Sequence, residues 1–403
     1  MLKSLFLSLF LVIVNFQPIF AQKELMRIDT HLTYHSKNFL GLQNKLRSSS
    51  KGLSKINIKY DSNYLSSKIS FGYEDKFTLD GSFLQYTKGI ATFGVGSVDR
   101  NWSFSENTSL ILSNNARPSK SIYLKLKNKF GYYWLPSSSH WSFEIFNGLT
   151  DGDPNSIRPM LLGVRAVFSA SNRLNFELVQ TSQWGGEGHD NGISALTAAA
   201  FMDTNDKSHA NINKMSGFGL SYLINSNLFP FRIYGQAIGE DESGNLPSCY
   251  AYLAGLEWSN TKIRYPTTLG IETIDTRVKK STHGNCGPNT FYNNNVYSYT
   301  NNGKVMGADI DSEGTSFEFF GKSQLSQEIS IKYSTKKVTI NDKNWPSHRL
   351  STNRKTGLIN SITIIWAQSN LKINGNIYFQ DFNLDKANIK NSYGIGISSS
   401  IRF

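Results

Sequence analysis

Apolar and polar residues alternate with a period of two in many separate stretches of this chain. Residues 328–340, 356–367 and 371–381 show the pattern most clearly, and residues 122–134 and 162–168 repeat it upstream. Successive side chains of a strand point to opposite faces, whereas an amphipathic helix repeats about every 3.6 residues. The pattern therefore predicts an all-β protein whose sheet has one apolar face and one polar face.

The connections between these strands alternate between tight turns and long polar loops. Ser369-Asn370 is a two-residue turn, and residues 341–355 form a long polar loop. Continuing the alternation puts long loops on one side, at 150–158, 184–216, 240–248 and 277–312, and turns on the other, at 169–172, 225–229, 259–262 and 323–327. Long extracellular loops and short periplasmic turns are typical of bacterial outer-membrane barrels. We predict a transmembrane antiparallel β-barrel of about eighteen strands with both termini in the periplasm.

The two ends of the sequence agree with export to the outer membrane. Residues 391–403 alternate again and stop on Phe403, on the apolar face, as such barrels usually do. At the start, Lys3 precedes an apolar run over residues 5–16 and a cleavage site after Ala21. That run is too short for a membrane-spanning helix, which needs about 20 apolar residues. We expect a signal peptide over residues 1–21, a short N-terminal segment with the first strand over 22–54, and the rest of the barrel over 55–403.

The charge of the chain bears on its partners. The 403 residues carry a formal net charge of +12 without a linker or a shift in composition that would divide them into domains. In an exported protein this charge favours an acidic surface partner, such as an anionic polysaccharide or lipopolysaccharide phosphate, and not a nucleic acid. A generally basic barrel lumen would explain it equally well. We expect a monomer in contact with outer-membrane lipid.

Two cysteines, Cys249 and Cys286, lie in separate predicted extracellular loops on either side of the hairpin 250–275. An even number of cysteines in an exported chain favours one disulfide. The alternative is a pair of unlinked thiols.

The sequence has no recognisable catalytic motif. None of the seven histidines has a metal-binding spacing or belongs to a nucleophile motif. His189, Asp190, Asp203, Asp206 and His209 share one predicted loop, where such residues are more often solvated or sugar-binding than metal-binding. We therefore predict a protein without enzymatic activity, cofactor or metal.

Three blocks of sequence carry a resemblance to a known family. They are residues 110–118 (Leu-Ile-Leu-Ser-Asn-Asn-Ala-Arg-Pro), residues 183–188 (Gln-Trp-Gly-Gly-Glu-Gly) and residues 234–242 (Tyr-Gly-Gln-Ala-Ile-Gly-Glu-Asp-Glu), the last continuing to Trp258. In this order they resemble the Wzi-type capsule-assembly family. The resemblance implies an outer-membrane barrel of eighteen strands that attaches capsular polysaccharide to the cell surface, acting as a lectin and performing no chemistry.

Residues in and beside these blocks suit a polysaccharide surface. Planar amides and carboxylates satisfy paired sugar hydroxyls, aromatic faces pack on sugar rings, and arginine pairs with a uronic-acid carboxylate. On these grounds the candidate binding residues are Asn115, Arg117, Trp184, Glu187, Glu240, Asp241 and Glu242. The alternative is that they fold the loops, with Arg117 and the acids in an internal network of ion pairs.

The state of the lumen separates the main hypothesis from its rival. Better-known members of the family close the periplasmic mouth with a helical bundle, but residues 22–54 have room for one helix, near 38–47, so we expect a reduced plug. A second helical stretch, residues 193–202, would cover the outer mouth. If the lumen were open, the chain would be a channel for small anionic solutes, lined by Lys125, Lys127, Lys129 and Arg165.

Overall fold

One long antiparallel sheet rolls up and closes on itself in this protein. The structure is a computed structural model that describes residues 25–40, 52–74, 76–130, 136–151, 158–201, 212–224, 230–243, 246–281, 286–294 and 296–403. Eighteen strands pair in sequence around the ring. The ring closes where the first strand pairs with the last, in a register that runs from Asp29 opposite Arg402 to His35 opposite Gly396.

The strands are numbered in chain order. Those of the ring are β1 (Leu25–His35), β2 (Gly52–Asp61), β3 (Leu65–Tyr73), β5 (Phe83–Lys88), β6 (Ala91–Gly96), β7 (Lys120–Lys129), β8 (His140–Leu149), β9 (Met160–Ser169), β10 (Leu174–Trp184), β11 (Asn213–Ile224), β12 (Phe231–Ser243), β13 (Leu246–Asn260), β14 (Thr267–Asp275), β17 (Thr315–Gln324), β18 (Ile329–Ile340), β19 (Lys355–Gln368), β20 (Leu371–Gln380) and β21 (Ser392–Arg402). Three two-residue strands lie outside this count: β4 (Phe77–Thr78), β15 (Thr300–Asn301) and β16 (Lys304–Val305). The helix α1 (Ile193–Phe201) follows β10.

The period-two pattern sorts the side chains as the sequence predicts. Large apolar residues on the outer face, such as Leu32, Ile122, Leu178, Ile364 and Ile395, are exposed around the barrel. An apolar outer band and a polar interior are the arrangement of a barrel in lipid. Within the described residues, none of the helical segments is long and apolar enough to cross a membrane. The fold is that of an outer-membrane β-barrel, as predicted.

The two ends of the barrel differ in their connections. The turn end of the barrel is defined by the short connections 62–64, 89–90, 170–173, 261–266, 325–328 and 369–370. The first residue of β1 and the last residue of β21 both lie at this end. The opposite end, the loop end, carries connections 36–51, 97–119, 150–159, 185–212, 276–314, 341–354 and 381–391. The predicted alternation of turns and loops is therefore correct, and the C-terminal strands match their predicted ranges to within two residues.

Two predicted connections need comment. The long loop predicted at residues 240–248 is wrong, because β12 and β13 continue to Ser243 and from Leu246, with Asp241 paired to Ser248 across them. The polar residues of this stretch suggested a loop, but they lie on a hairpin that extends the barrel wall. The helix predicted near residues 38–47 falls mostly on residues 41–51, outside the described part of the chain. The connection 36–51 joins β1 and β2 at the loop end, so the prediction that this segment forms a reduced plug at the opposite, turn-end mouth is wrong.

Candidate functional site

A segment of the chain fills the lumen on the loop side of the barrel. This inserted segment, residues 97–119, leaves β6 and returns to β7 at almost the same point, since Ser97 Oγ donates to Pro118 O at 3.2 Å. Between these ends, Trp102 keeps only 2% of its surface exposed, and Leu110 and Ile111 are fully buried. An apolar run without alternation suits burial on all sides, which the barrel interior provides.

The barrel wall holds the inserted segment through its main chain. Gln236 on β12 uses both ends of its amide, accepting from Leu110 N at 2.9 Å and donating to Trp102 O at 2.6 Å. Arg232 lies four residues before Gln236 on β12, towards the turn end, and donates to Phe104 O at 2.6 Å. A buried main-chain group without a partner costs about 1–3 kcal/mol, so these contacts are needed for the segment to stay inside the barrel.

Charged groups fix the segment further. The guanidinium of Arg100 is 2.8 Å from Glu144 on β8 and lies over the ring of Phe146 at 3.8 Å. Ser105 Oγ donates to Glu272 Oε2 on β14 at 2.5 Å, and the hydroxyl of Tyr234 donates to the same oxygen at 2.8 Å. Glu144 and Glu272 of the wall therefore each bind a side chain of the inserted segment.

A second segment, the cap, packs against the inserted segment on the loop side of the barrel. The cap consists of residues 276–314, and its buried aromatic rings Tyr292 and Tyr299 stack at 5.7 Å. The hydroxyl of Tyr292 donates to Leu110 O at 2.6 Å, and that of Tyr299 donates to Ile111 O at 2.9 Å. Burial raises the pKa of both phenols above their ordinary value, so both hydroxyls keep the proton that they donate.

One disulfide and one ion pair connect the cap to the rim of the barrel. Cys249 on β13 and Cys286 in the cap form the disulfide that the sequence predicts. In the loop after β18, Arg349 donates from Nε to Asp311 at 2.8 Å. Burial alone would raise the pKa of Asp311, but the charge and hydrogen bonds of Arg349 bring it below its ordinary value. The inserted segment and the cap are together called the seal below.

Four of the predicted binding residues belong to the seal or its supports. Asn115 donates to Val305 O of the cap at 2.9 Å, and Arg117 lies 3.5 Å from Glu74 and 3.3 Å from Asp80. Trp184 is buried and donates to Asn147 at 3.2 Å, and Glu240 accepts from the backbone N–H of Tyr292. These contacts favour the alternative in which the residues fold the loops.

The other three predicted residues lie at the surface of the loop end or at its rim. Glu187 is exposed in the loop after β10. Asp241 and Glu242 lie on β12, where they pair through the main chain with Ser248 and Pro247. Direct contact with a polysaccharide stays a prediction for all seven residues.

A further group of residues at the loop end was not singled out from the sequence. Connections 341–354 and 381–391 are joined because Ser351 Oγ donates to Asp385 at 2.7 Å. On them lies the basic loop patch, defined by Lys343, Trp345, Arg354, Lys386 and Lys390. The indole of Trp345 is 41% exposed. The sequence did contain a signal, because the polar loop 341–354 carries a single tryptophan together with Lys343, Arg349 and Arg354. No sequence pattern, however, distinguished this tryptophan from a buried one.

The local sequence explains why Trp345 is held in place. Asn341 adopts a left-handed backbone conformation, with φ at 55°, where asparagine is more readily accommodated than most residues. Its buried side chain accepts from Trp345 N at 2.6 Å and donates to Ser351 O at 2.9 Å. The loop thus presents an aromatic face and several cations on a fixed backbone, which is a suitable arrangement for an acidic sugar polymer.

The fold and the seal define an outer-membrane β-barrel whose lumen is occupied on the loop side by its own loops. The chain belongs to the capsule assembly protein Wzi family, whose family model matches residues 22–390. All three sequence blocks that carry the resemblance meet at the seal: residues 110–118 form its lower part, β12 binds it through Gln236, and Gln183 donates to Ser298 O of the cap at 2.9 Å.

Comparisons with individual proteins agree with this assignment. The chain is 25% identical over 218 residues to an uncharacterised 55.8 kDa protein in the cps region of Klebsiella pneumoniae, covering 53% of this chain and 43% of that relative. The chain thus spans less than half the length of the curated relative that it matches.

Solved structures show the same fold. Wzi of Escherichia coli, described as an outer-membrane protein involved in group 1 capsule assembly and a carbohydrate-binding β-barrel, superposes with a TM-score of 0.76 at 18% identity, over 94% of this chain and 84% of that one. The outer-membrane protein OprD of Pseudomonas aeruginosa gives a TM-score of 0.54 at 7% identity, over 94% and 93%.

Proposed function

We propose that this protein binds capsular or extracellular polysaccharide at the cell surface and anchors it there, without catalysing a reaction. The observation that carries the proposal is the seal, which turns the loop end of the barrel into a fixed surface instead of a mouth. Membership of the Wzi family and the likeness to a carbohydrate-binding barrel support it. The rival hypothesis of an anion channel needs an open lumen, which the buried contacts of the inserted segment oppose.

The orientation follows the rule for such barrels. The short turns and both chain ends lie in the periplasm, and the loop end faces the outside of the cell. The mature chain begins near Gln22 and is a monomer in the outer membrane. The basic loop patch then faces the medium, where the capsule lies. Lys343 and Arg354 share one carboxylate, that of Asp342, and the carboxylate of Asp385 accepts hydrogen bonds from Ser351 and Thr352. The cations of the patch therefore outnumber the carboxylates beside them. We therefore assign an acidic polymer to this surface, together with the anionic lipopolysaccharide around it.

A deletion strain tests the function directly. It should make and export polysaccharide as before but release it into the medium, because attachment is lost and synthesis is not. Complementation with the wild-type gene should restore retention, whereas the Trp345→Ala variant and the triple variant Lys343→Gln, Lys386→Gln, Lys390→Gln should restore it only in part. Phe201→Ala, which removes another exposed aromatic residue of the loop end, is the matched control and should restore it fully.

Salt dependence tests the acidity of the polymer. Exposed charge pairs are screened beyond about 10 Å at 0.1 M ionic strength, so binding of an acidic polymer to the purified protein should weaken as salt rises. Unchanged capsule retention in the deletion strain, combined with open-channel steps of the wild-type protein in planar bilayers, would refute the proposal in favour of the channel.

A further inference from the structure

Near the turn end, the polar face of β17, β18 and β20 carries three lysines inside the lumen. Lys322 and Lys332 lie directly opposite each other on β17 and β18, and Lys372 lies near the start of β20. All three side chains are exposed to the lumen, and Lys332 interacts electrostatically with both of the others. Like charges directly opposite each other on paired strands are destabilising.

Other cations of the inner wall have acidic partners, including Arg232, which is the second residue of β12 counted from the turn end. Arg165 is 2.6 Å from Glu177, Arg232 is 2.7 Å from Glu257, and Lys336 is 2.9 Å from Asp309 of the cap. Among the described residues, no carboxylate lies within 4 Å of Lys322, Lys332 or Lys372. Glu106 of the inserted segment interacts electrostatically with Lys332, but it is itself exposed and makes no ion pair with Lys332.

The groups between and beside these lysines are hydroxyls and amides. Thr363 lies opposite Lys332 on β19 and donates to Asn376 on β20 at 2.6 Å. Asn374 donates to Ser398 on β21 at 2.9 Å. Such groups exchange hydrogen bonds readily with sugar hydroxyls, whereas the cations attract an anionic substituent.

We propose that Lys322, Lys332 and Lys372, with the hydroxyl and amide groups beside them, form a second binding site, for an anionic sugar that enters the lumen from the turn end. The ligand carries a carboxylate or a phosphate on a saccharide, and its charge relieves the repulsion between the paired lysines. In the proposed orientation the site opens to the periplasm and is separated from the basic loop patch by the seal. The site itself depends on the barrel alone, and only its periplasmic location rests on the proposed function.

Lysine protection locates the site. The purified full-length protein in detergent is reductively methylated with and without trigalacturonate, and the rate at each lysine is read by mass spectrometry. Trigalacturonate should slow the methylation of Lys322, Lys332 and Lys372 severalfold and leave the loop residues Lys279 and Lys280 unchanged. Galactose 1-phosphate in place of trigalacturonate tells a phosphate-bearing sugar from a carboxylate-bearing one, and protection by either supports the site.

Calorimetry with variants gives the second readout. The triple variant Lys322→Gln, Lys332→Gln, Lys372→Gln should bind the protecting sugar about tenfold more weakly, because three exposed charge pairs with the sugar are lost. The triple variant Lys343→Gln, Lys386→Gln, Lys390→Gln loses the same charge at the loop end and should leave the protection of Lys322, Lys332 and Lys372 by the sugar as it is in the wild type, because that readout reports the lumen site alone. Heat-modifiable migration checks that both variants fold.

Two outcomes would overturn the inference. One is that neither sugar slows methylation of the three lysines in the wild type. The other is that inorganic phosphate protects them as well as the sugars do, because the site would then recognise charge alone. Capsule retention on cells separates the two proposals: the lumen variant should retain the polymer even where the loop variant sheds it.

Discussion

The two halves of the lumen share one barrel wall but differ in chemistry. On the loop side, Trp102, Leu110 and Tyr292 form an apolar core inside the barrel, and charged residues of the wall such as Arg165 and Lys336 are paired. On the turn side, Lys322 and Lys332 face each other among hydroxyls and amides. The loop side is a protein core, whereas the turn side is a solvated chamber.

The difference shows what the alternation of a barrel strand does and does not determine. It assigns each residue to the lipid or to the interior, but the interior becomes a core only where another segment enters it. Where residues 97–119 are present, each buried polar group needs a partner, and the wall supplies Gln236, Glu144 and Glu272. Where the described segments make no ion pair with the wall, as at Lys322 and Lys332, unpaired cations are tolerated because their side chains stay exposed.

Removing the inserted segment should change the loop side of the lumen more than any other variant. Because Ser97 and Pro118 are in contact, residues 99–117 can be replaced by a Gly-Ser-Gly linker without moving β6 or β7. The deletion removes Asp99, Arg100, Glu106 and Arg117 and so leaves the net charge unchanged. The variant should show resolved, anion-selective channel steps in planar bilayers, where the wild type shows none.

Its control is the same deletion combined with Lys322→Gln, Lys332→Gln and Lys372→Gln, which should conduct with reduced preference for anions. Wild-type protein that conducts as well as the deletion variant would mean that the seal does not close the lumen.

Breaking the disulfide should have the next largest effect. The bond closes a stretch of 37 residues, and a crosslink of this span contributes about 2–4 kcal/mol. In the double variant Cys249→Ser, Cys286→Ser the cap should become sensitive to protease in intact cells, whereas the barrel should stay heat-modifiable. Wild type treated with a reductant should behave in the same way. Two free thiols in the unreduced native protein would contradict the bond itself.

The ion pair between Arg349 and Asp311 should contribute less. Removing one partner of a buried pair costs about 3–5 kcal/mol, and the side chain of Arg349 is 20% exposed, so we expect about 2 kcal/mol for Arg349→Gln. Since the folded-state pKa of Asp311 lies below its ordinary value of 3.8, the stabilisation is complete above that value and is lost as the pH falls through the folded pKa.

Protease sensitivity of the cap between pH 6 and pH 2 is the measurement. The wild-type cap should open only in the acidic part of this range, whereas in Arg349→Gln burial raises the pKa of Asp311, so the cap should already be sensitive at pH 6 and should gain protection as Asp311 is protonated. Asp311→Asn should remove the transition that belongs to this pair. An acid transition that is the same in all three proteins would assign it to other carboxylates.

The sequence predicted the wall of the barrel better than its contents. The final strands, the loop and turn sides and the link between Cys249 and Cys286 follow from local alternation, an even cysteine count and chain order. The fate of residues 110–118 does not follow, because an apolar run in a loop is compatible with entering the lumen, covering its mouth or binding a partner. Nor could the sequence tell an exposed Trp345 from a buried Trp184, since their neighbours in space come from distant strands.

Glu187 offers the smallest and most specific test of the sequence-based site. It is exposed in the loop after β10, whereas Glu240 lies buried beneath Tyr292. If Glu187 accepts hydrogen bonds from sugar hydroxyls, Glu187→Ala should weaken binding of the polymer about twofold, as expected for one exposed polar contact of about 0.5 kcal/mol. Glu240→Ala should weaken it more, but through the cap, and should raise protease sensitivity as well. Glu328→Ala, at the turn end, is the control for the change of charge and should bind as the wild type does. Tighter binding by Glu187→Ala would mean that Glu187 only repels an acidic polymer, and the contact surface would then lie with the basic loop patch around Trp345.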